Sequence, residues 1–465
     1  MIDLSFLAKK RVAVLGLARS GEAAARALMA SGVEIVAWDD DAKRRAALSD
    51  LPLTDLAAAD WRRIAMLVLS PGIPHTYPAP HPVAAAARAA GCPIVSDVEL
   101  LWHGARDARF VGITGTNGKS TTTTLLGHIL ASAGRPVATG GNLGTPALSL
   151  PRLGSSGIYV LEMSSYQLEI TPTAVFDVAV LLNLTPDHLD RHGGMAGYTA
   201  AKRMIFRGQD DEATAIIGVD DGTCRRIRAD LTASGRQRVI AISGTDAATG
   251  GVSVAGRWLV DDMDRLARPI ADLSRARALP GAHNGQNAAA AYAAARALGV
   301  PAEAASKALL DFPGLAHRQE AVGTIRGVRY VNDSKATNAE AAARALDSYD
   351  SIFWIAGGVP KEGGIAGLAP LFPRIVQAFL IGQAASDFAR TLEGRVPYMQ
   401  CGDLANAVRE ARAAAERSPR RPAVVLLSPA CASFDQFRDF EARGDAFRAI
   451  VAQLAAEASR EGAAA

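Results

Sequence analysis

The chain has 465 residues, enough at about 150 residues per domain for three domains that each bury a core. Apolar residues make up 49% and charged residues 21%, which excludes a disordered or fibrous chain. Fifty lysines and arginines against 47 acids give a net charge of +3, interspersed rather than gathered in a basic block, so no nucleic-acid partner is expected.

The opening MIDLSFLAKK lacks a basic stretch followed by an apolar run and a cleavage site, and no later window holds about 18 uninterrupted apolar residues. A cytoplasmic chain without membrane insertion is expected. Cys92, Cys224, Cys401 and Cys431 are scattered without a CxxC pair, which predicts reduced thiols rather than a disulfide framework or a structural zinc site.

Val12 to Leu15 reads as a strand, followed by the turn Gly16-Leu-Ala-Arg-Ser-Gly21, an alanine-rich helix to about Ala30, a second strand from Val33 to Trp38 and the acid Asp39. A third strand, Met66 to Leu69, ends in the turn cluster Ser70-Pro-Gly-Ile-Pro74. The second segment opens with Phe110 to Thr114, a glycine loop, and a helix with Leu125, Leu126, Ile129 and Leu130 on one face. Wholly apolar runs at Ile158 to Leu161, Val178 to Leu184 and Ala215 to Val219 predict parallel strands covered on both sides. Val252 to Val260 alternates and predicts antiparallel strands, and an alanine-rich helix starts at Asn284. Asp311-Phe-Pro-Gly-Leu315 punctuates the chain like an interdomain hinge. Strands at Val328 to Val331, Ile352 to Ala356, Ala378 to Ile381 and Val424 to Leu427 follow, and the tail from Ala455 to Ala465 reads as a fraying helix end. The fold class is α/β in three domains, 1–107, 108–313 and 314–465: a Rossmann-like first domain, a central ATPase-type sheet with helices, and a Rossmann-like third domain.

The strongest chemical signal is Gly115-Thr-Asn-Gly-Lys-Ser120 between a strand and a helix. Glycines let backbone N–H groups approach phosphate oxygens, Lys119 can reach β- and γ-phosphates, and Ser120 can ligate magnesium. Ile113 stands where the first glycine of GxxxxGK[ST] would be. A plain glycine turn with an exposed lysine is the competing structural reading, and the strand and helix on either side outweigh it. Glu162 ends the next apolar run, where a carboxylate can hold a metal beside a phosphate. His188 lies beyond the following strand as a second candidate ligand, with Asp187 and Asp190 as alternatives. In the first segment Ala18 replaces the middle glycine of GxGxxG, so a dinucleotide reading with Asp39 as ribose ligand and a structural turn stand side by side, and a nucleotide diphosphate can also sit on that helix end. Three polar loops, Asn332 to Asn338, the one reaching Lys361, and Ser428 to Ser433, follow strands of the third segment and are expected on one sheet edge.

Together the strings ITGTNGKST, GGNLGTPAL, LEMSSYQLE, NLTPDHLDRHG, YTAAKRMIF, HNGQNAAAA, HRQE, NDSKATN and LSPACASFDQF occur in the order found in the Mur ligase family, which the whole chain resembles. The last string and NDSKATN resemble its D-glutamate-adding branch. The resemblance implies an ATP-dependent amide ligase that joins D-glutamate to UDP-N-acetylmuramoyl-L-alanine through an acyl phosphate, in the cytoplasm and as a monomer. It implies Gly115, Thr116, Asn117, Gly118, Lys119, Ser120 and Thr121 on ATP phosphates, and Asn284, Arg318 and Asp333 around adenine and ribose. Two Mg²⁺ are implied, held by Ser120, Glu162, His188 and a carbamylated Lys202. Ala18, Arg19, Ser70, Gly72 and Asn142 match positions for the UDP-substrate, and Lys335, Thr337, Lys361, Ser433, Phe434 and Phe440 match positions for the amino acid and phosphates. A same-superfamily ligase using L-glutamate or a folylpolyglutamate-type acceptor is the alternative.

Overall fold

Short runs of Val, Ile, Leu and Ala separated by helical lengths build three sheets. They are seen in a computed structural model that describes residues 2–464 other than 143, 277, 280, 282 and 362. The chain divides into two compact units, Met1–Phe312 and Pro313–Ala465, so the expected hinge at Asp311 to Leu315 falls at the division.

The first sheet contains β1 (Arg11–Leu15), β2 (Glu34–Trp38), β3 (Met66–Leu69) and β4 (Ile94–Val95), all parallel, in the order β2-β1-β3-β4. The second holds nine strands: β5 (Arg109–Thr114), β6 (Val137–Gly141), β7 (Ile158–Glu162), β8 (Val178–Leu181), β9 (Thr214–Gly218), β10 (Arg238–Ser243), β11 (Val252–Ala255), β12 (Trp258–Asp261) and β13 (Arg268–Asp272). Its order is β13-β12-β11-β10-β9-β8-β5-β7-β6, with the antiparallel pairs β11–β12 and β12–β13 at one side. Both sheets belong to the first unit. In the second unit β14 (Glu320–Ile325), β15 (Val328–Asn332), β16 (Ile352–Gly357), β17 (Ile375–Ile381), β18 (Tyr398–Gly402) and β19 (Ala423–Leu427) pair in the order β14-β15-β19-β16-β17-β18, parallel except for β14 against β15.

Six strands pass unmarked in the sequence reading, and five of them (β4, β6, β13, β14 and β18) lie at sheet edges. An edge strand covers less apolar surface and tolerates a residue an interior strand rejects, as Pro269 in β13 shows. The sixth, β10, is an interior apolar run with the same signature as its neighbours. The alanine-rich helix spans His283–Ala297, one residue earlier than read. At the carboxyl end the last helix runs Phe440–Ala464, and Ala465, the end of the tail read as fraying, lies outside the described residues. No helix among the described residues is long and apolar enough to cross a membrane, and the four cysteines are free thiols.

Parallel strands aim their carboxyl ends the same way, so the loops after β1 and β3, after β5, β7 and β8, and after β15, β16 and β19 are gathered at common edges.

Candidate active site

Strand β5 is buried on both faces and stops at Gly115, where the backbone turns into the helix Lys119–Ser132. Gly118 caps that helix with φ of 82°, and a Cβ there would lie 2.1 Å from Asn287 Oδ1, so only glycine fits. Asn183, after β8, grips the loop from outside: its Oδ1 accepts from the Asn117 amide at 2.9 Å, and its Nδ2 donates to Gln286 Oε1 at 2.8 Å. Gln286 donates in turn to Asp220. Lys119 Nζ curls over the loop, donating to the carbonyls of Gly115 and Thr116 at 2.9 and 2.8 Å. Thr116 Oγ1 and Asn117 line the turn, while Thr121 is buried behind Ser120 in the first turn of the helix.

Ser120 donates its hydroxyl to Glu162 Oε2 at 2.7 Å, and Asn142 Nδ2 donates to Glu162 Oε1 at 2.9 Å. Glu162 is 3% exposed at the carboxyl end of β7. Lys202, on the helix Met195–Arg203, is buried and donates from Nζ to Thr114 Oγ1 at 3.1 Å and to the Gly115 carbonyl at 2.9 Å. Burial, with the nearby Lys119 charge, pushes its amine down to about 7. Burial thus favours the neutral amine, the form that can add CO₂. His188 is exposed at a left-handed φ of 51°, with Nε2 3.5 Å from Asp187 Oδ2 and its ring 5.3 Å from that of Tyr166. Among the described residues no three His, Cys, Asp or Glu side chains converge as a metal cage. Magnesium does not require one, since it takes one or two protein oxygens and fills the remaining positions from phosphates and water. Ser120 and Glu162 supply such hard oxygens beside the glycine loop. Lys202 as a plain amine does not, and as a carbamate it does.

In the first sheet the turn after β1 is tied down by its neighbours. Ser70 Oγ donates to the Gly16 carbonyl at 2.8 Å, and Gly21 sits so close that a Cβ would fall 1.7 Å from Gly16 O. Asp39, the acid suggested as a ribose ligand, is already engaged: it accepts from the Leu17 amide at 2.6 Å, the Asp41 amide at 2.9 Å and Arg44 at 3.0 Å. Burial pushes its carboxyl up, yet these donors together hold it below the usual carboxylate range. Asp39 is therefore occupied by donors of the neighbouring turns and helix, the structural role rather than that of a free ribose ligand. Ala18 precedes the helix Arg19–Ala30 without a side-chain cap, leaving amides at that end for an anion. Arg19 donates to the Gly144 carbonyl at 2.5 Å, and Asn142 of the same loop reaches Glu162, so this loop bridges the first glycine turn and the carboxyl end of β7. Gly72 is exposed beside Ser70.

The three polar loops of the second unit meet as expected, because β15, β19 and β16 are adjacent and parallel. Ser428 Oγ donates to Asp333 Oδ2 at 2.7 Å, and the Val359 amide donates to the Ala432 carbonyl at 2.9 Å. Asp333 is buried, which pushes its carboxyl up to about 7 against the pull of Ser428, the Gln319 amide and Arg318. Lys335 Nζ lies 5.5 Å from the Phe440 ring centroid. Thr337 is half-buried, Lys361 exposed, Ser433 buried and Phe434 73% exposed. Asn284 is buried in the first unit, whereas Arg318 and Asp333 belong to the second.

Several residues of the site escape sequence reading. Asn287 stacks one turn after Asn284, accepting from Thr122 and donating to Asn284, and the spacing of HNGQN could have shown it. Tyr198 OH lies 3.0 Å from Thr116 Oγ1. Arg443, fully buried, donates to Ser334 Oγ and to the carbonyls of Ser334 and Cys431, clasping two of the polar loops; no local pattern marks it.

Residues 113–295 match the Mur ligase middle domain. The chain is 53% identical over 463 residues to the UDP-N-acetylmuramoylalanine–D-glutamate ligase of Phenylobacterium zucineum, covering 98% of each chain. It is likewise 53% identical over 462 residues to that of Rhodospirillum rubrum, covering 98% of this chain and 97% of the relative. Among solved structures it is similar in fold to the UDP-N-acetylmuramate-alanine ligase of Thermotoga maritima, with a TM-score of 0.57 at 17% identity over 94% of this chain and 98% of the other.

Proposed function

The chain belongs to the UDP-N-acetylmuramoylalanine–D-glutamate ligases of the Mur ligase family, and on that footing we propose that it joins D-glutamate to UDP-N-acetylmuramoyl-L-alanine at the expense of ATP, as a cytoplasmic monomer. The observation that carries the reading is the phosphate loop whose Ser120 hydroxyl rests on Glu162, itself held by Asn142.

The reaction needs activation because a free carboxylate is a poor electrophile. The carboxylate of the nucleotide sugar peptide attacks the γ-phosphorus of ATP, the bond to the β-γ bridging oxygen breaks, and ADP leaves with an acyl phosphate formed. The unprotonated amine of D-glutamate then attacks the acyl carbon, and the tetrahedral intermediate expels phosphate and loses a proton. Gly115 to Thr121 present amides and hydroxyls to the phosphates, and Lys119 exchanges its carbonyl partners for β- and γ-oxygens. Asn284, Arg318 and Asp333 take the adenosine. Ser120, Glu162, His188 and carbamylated Lys202 would hold two Mg²⁺, which when bound offset charge on the transferred group. Ala18, Arg19, Ser70 and Gly72 bind the uridine diphosphate part, with Asn142 toward the muramoyl part. Lys335, Lys361 and the hydroxyls of Thr337 and Ser433 suit a dicarboxylate, with Phe434 and Phe440 shielding it from water. The domains 1–107, 108–313 and 314–465 bring the nucleotide sugar, ATP and the amino acid respectively.

Substrate labelled with ¹⁸O in its terminal carboxylate tests the chemistry. Transfer of one label to each released phosphate is expected, and phosphate without label would overturn the acyl-phosphate route.

A further inference from the structure

A chain of polar contacts joins the loop after β3 to the turn that carries His188. His75 Nδ1 lies 3.0 Å from Arg88 Nη2, and its Nε2 lies 3.0 Å from Glu169 Oε2. The other carboxylate oxygen of Glu169 lies 3.0 Å from His192 Nδ1, and His192 Nε2 lies 2.9 Å from Ser165 Oγ. Chemistry fixes the direction of each bond. A guanidinium only donates, so His75 Nδ1 accepts and its Nε2–H donates to Glu169. On the other arm the carboxylate accepts from Nδ1–H of His192, whose side chain is wholly buried. Burial lowers the proton affinity of His192 below its usual value, so its Nε2 accepts from Ser165. Both arms thus converge on one charge, Glu169, whose carboxylate the two histidines hold below the usual range despite burial.

Each arm ends at a different part of the site. His75 stands just after Ser70 and Gly72. His192 closes the short helix Leu189–His192, whose N-cap is His188 in its left-handed conformation. A second contact fastens the same two segments: Arg191 donates to the carbonyls of Tyr77 at 2.7 Å and Pro71 at 3.4 Å, with its guanidinium 4.6 Å from the Tyr166 ring centroid.

We propose that Glu169, through His75 and His192, is a positioning residue that couples occupancy of the 70–77 loop by the nucleotide sugar to the placement of His188 at the ATP and metal site. The proposal rests on the reading of Ser70 and Gly72 as UDP-substrate residues and His188 as a metal ligand. Binding of the nucleotide sugar orders the loop, the loop fixes His75, and Glu169 passes that order to the 188–192 turn, so the phosphate site is completed when the acceptor is present.

Calorimetry on the full chain tests this. The affinity for UDP-N-acetylmuramoyl-L-alanine is measured without nucleotide and then with Mg²⁺ and a non-hydrolysable ATP analogue, in the wild type, Glu169→Gln and His75→Leu, with melting followed in parallel. The wild type is expected to bind the nucleotide sugar at least about five-fold tighter when the nucleotide site is filled. That ratio is expected to fall below about two-fold in either variant, including His75→Leu should Glu169→Gln fail to fold. A ratio near one in the wild type, or an undiminished ratio in a folded variant, would overturn the coupling while leaving the ligase reading intact. No binding of the nucleotide sugar to the wild type would overturn that reading and the coupling with it.

Discussion

Lys119 and Lys202 donate to the same acceptor, the carbonyl oxygen of Gly115, each at 2.9 Å. Two ammonium groups around one carbonyl repel each other, and Lys202, the more deeply buried, has its amine pushed down to about 7. Neutral Lys202 can add CO₂, and the resulting carbamate turns a repelling neighbour of Lys119 into an attracting one.

Lys202→Ala is accordingly expected to lower turnover by about a hundred-fold or more, as loss of a preorganised charge in a closed site does. Short carboxylic acids are expected to restore part of the rate by standing in for the carbamate. Turnover measured with and without such acids checks this, and loss without recovery would count against the carbamate.

Lys119→Ala is expected to abolish ATP turnover, by about a thousand-fold or more, while the melting temperature stays within a few degrees. The lysine's contacts to its own loop are replaceable by water, but the charge it is proposed to hold beside the transferred phosphoryl group is not. Near-normal turnover in a steady-state assay would contradict the role.

For Asp333 the sign follows from burial. Its carboxyl is raised to about 7, so the folded state is penalised fully above that pH, and the penalty is relieved as pH falls toward the usual carboxylate range. Asp333→Asn removes the charge at every pH. Its melting temperature relative to the wild type should therefore be higher at pH 8 than at pH 5, with a difference on the order of a few kcal/mol in stability. A difference independent of pH would show that the carboxylate is already compensated.

Gly21 packs against the carbonyl of Gly16, and a methyl group there has nowhere to go. Gly21→Ala is expected to cost about 1–3 kcal/mol of stability and to raise KM for the nucleotide sugar with little change for ATP. Equal rises in both would place the strain elsewhere.

Much of the architecture was legible in the residues because the candidate site sits on loops between strongly apolar strands. Gly115 to Ser120 announces itself by lying between β5 and a helix, and Glu162 by ending β7. Adjacent parallel β15, β19 and β16 bring Asp333 and Ser428 into contact, as their positions after apolar runs imply. Edge strands such as β6 and β18 were hidden because half-covered surfaces place weak demands on sequence. Asp39 looked like a ligand because an acid at that distance is common to both roles, and only its bonds to the Leu17 amide and Arg44 distinguish them. Arg443 and Tyr198 were invisible because their partners are distant in sequence.

Phosphate release from ATP with Mg²⁺ and UDP-N-acetylmuramoyl-L-alanine, compared with D-glutamate, L-glutamate and no amino acid, decides whether the chain is a D-glutamate-adding ligase. Release that strictly requires D-glutamate, with the ligated product seen by mass, is the predicted result. Release driven by L-glutamate, or none with either amino acid, would contradict it.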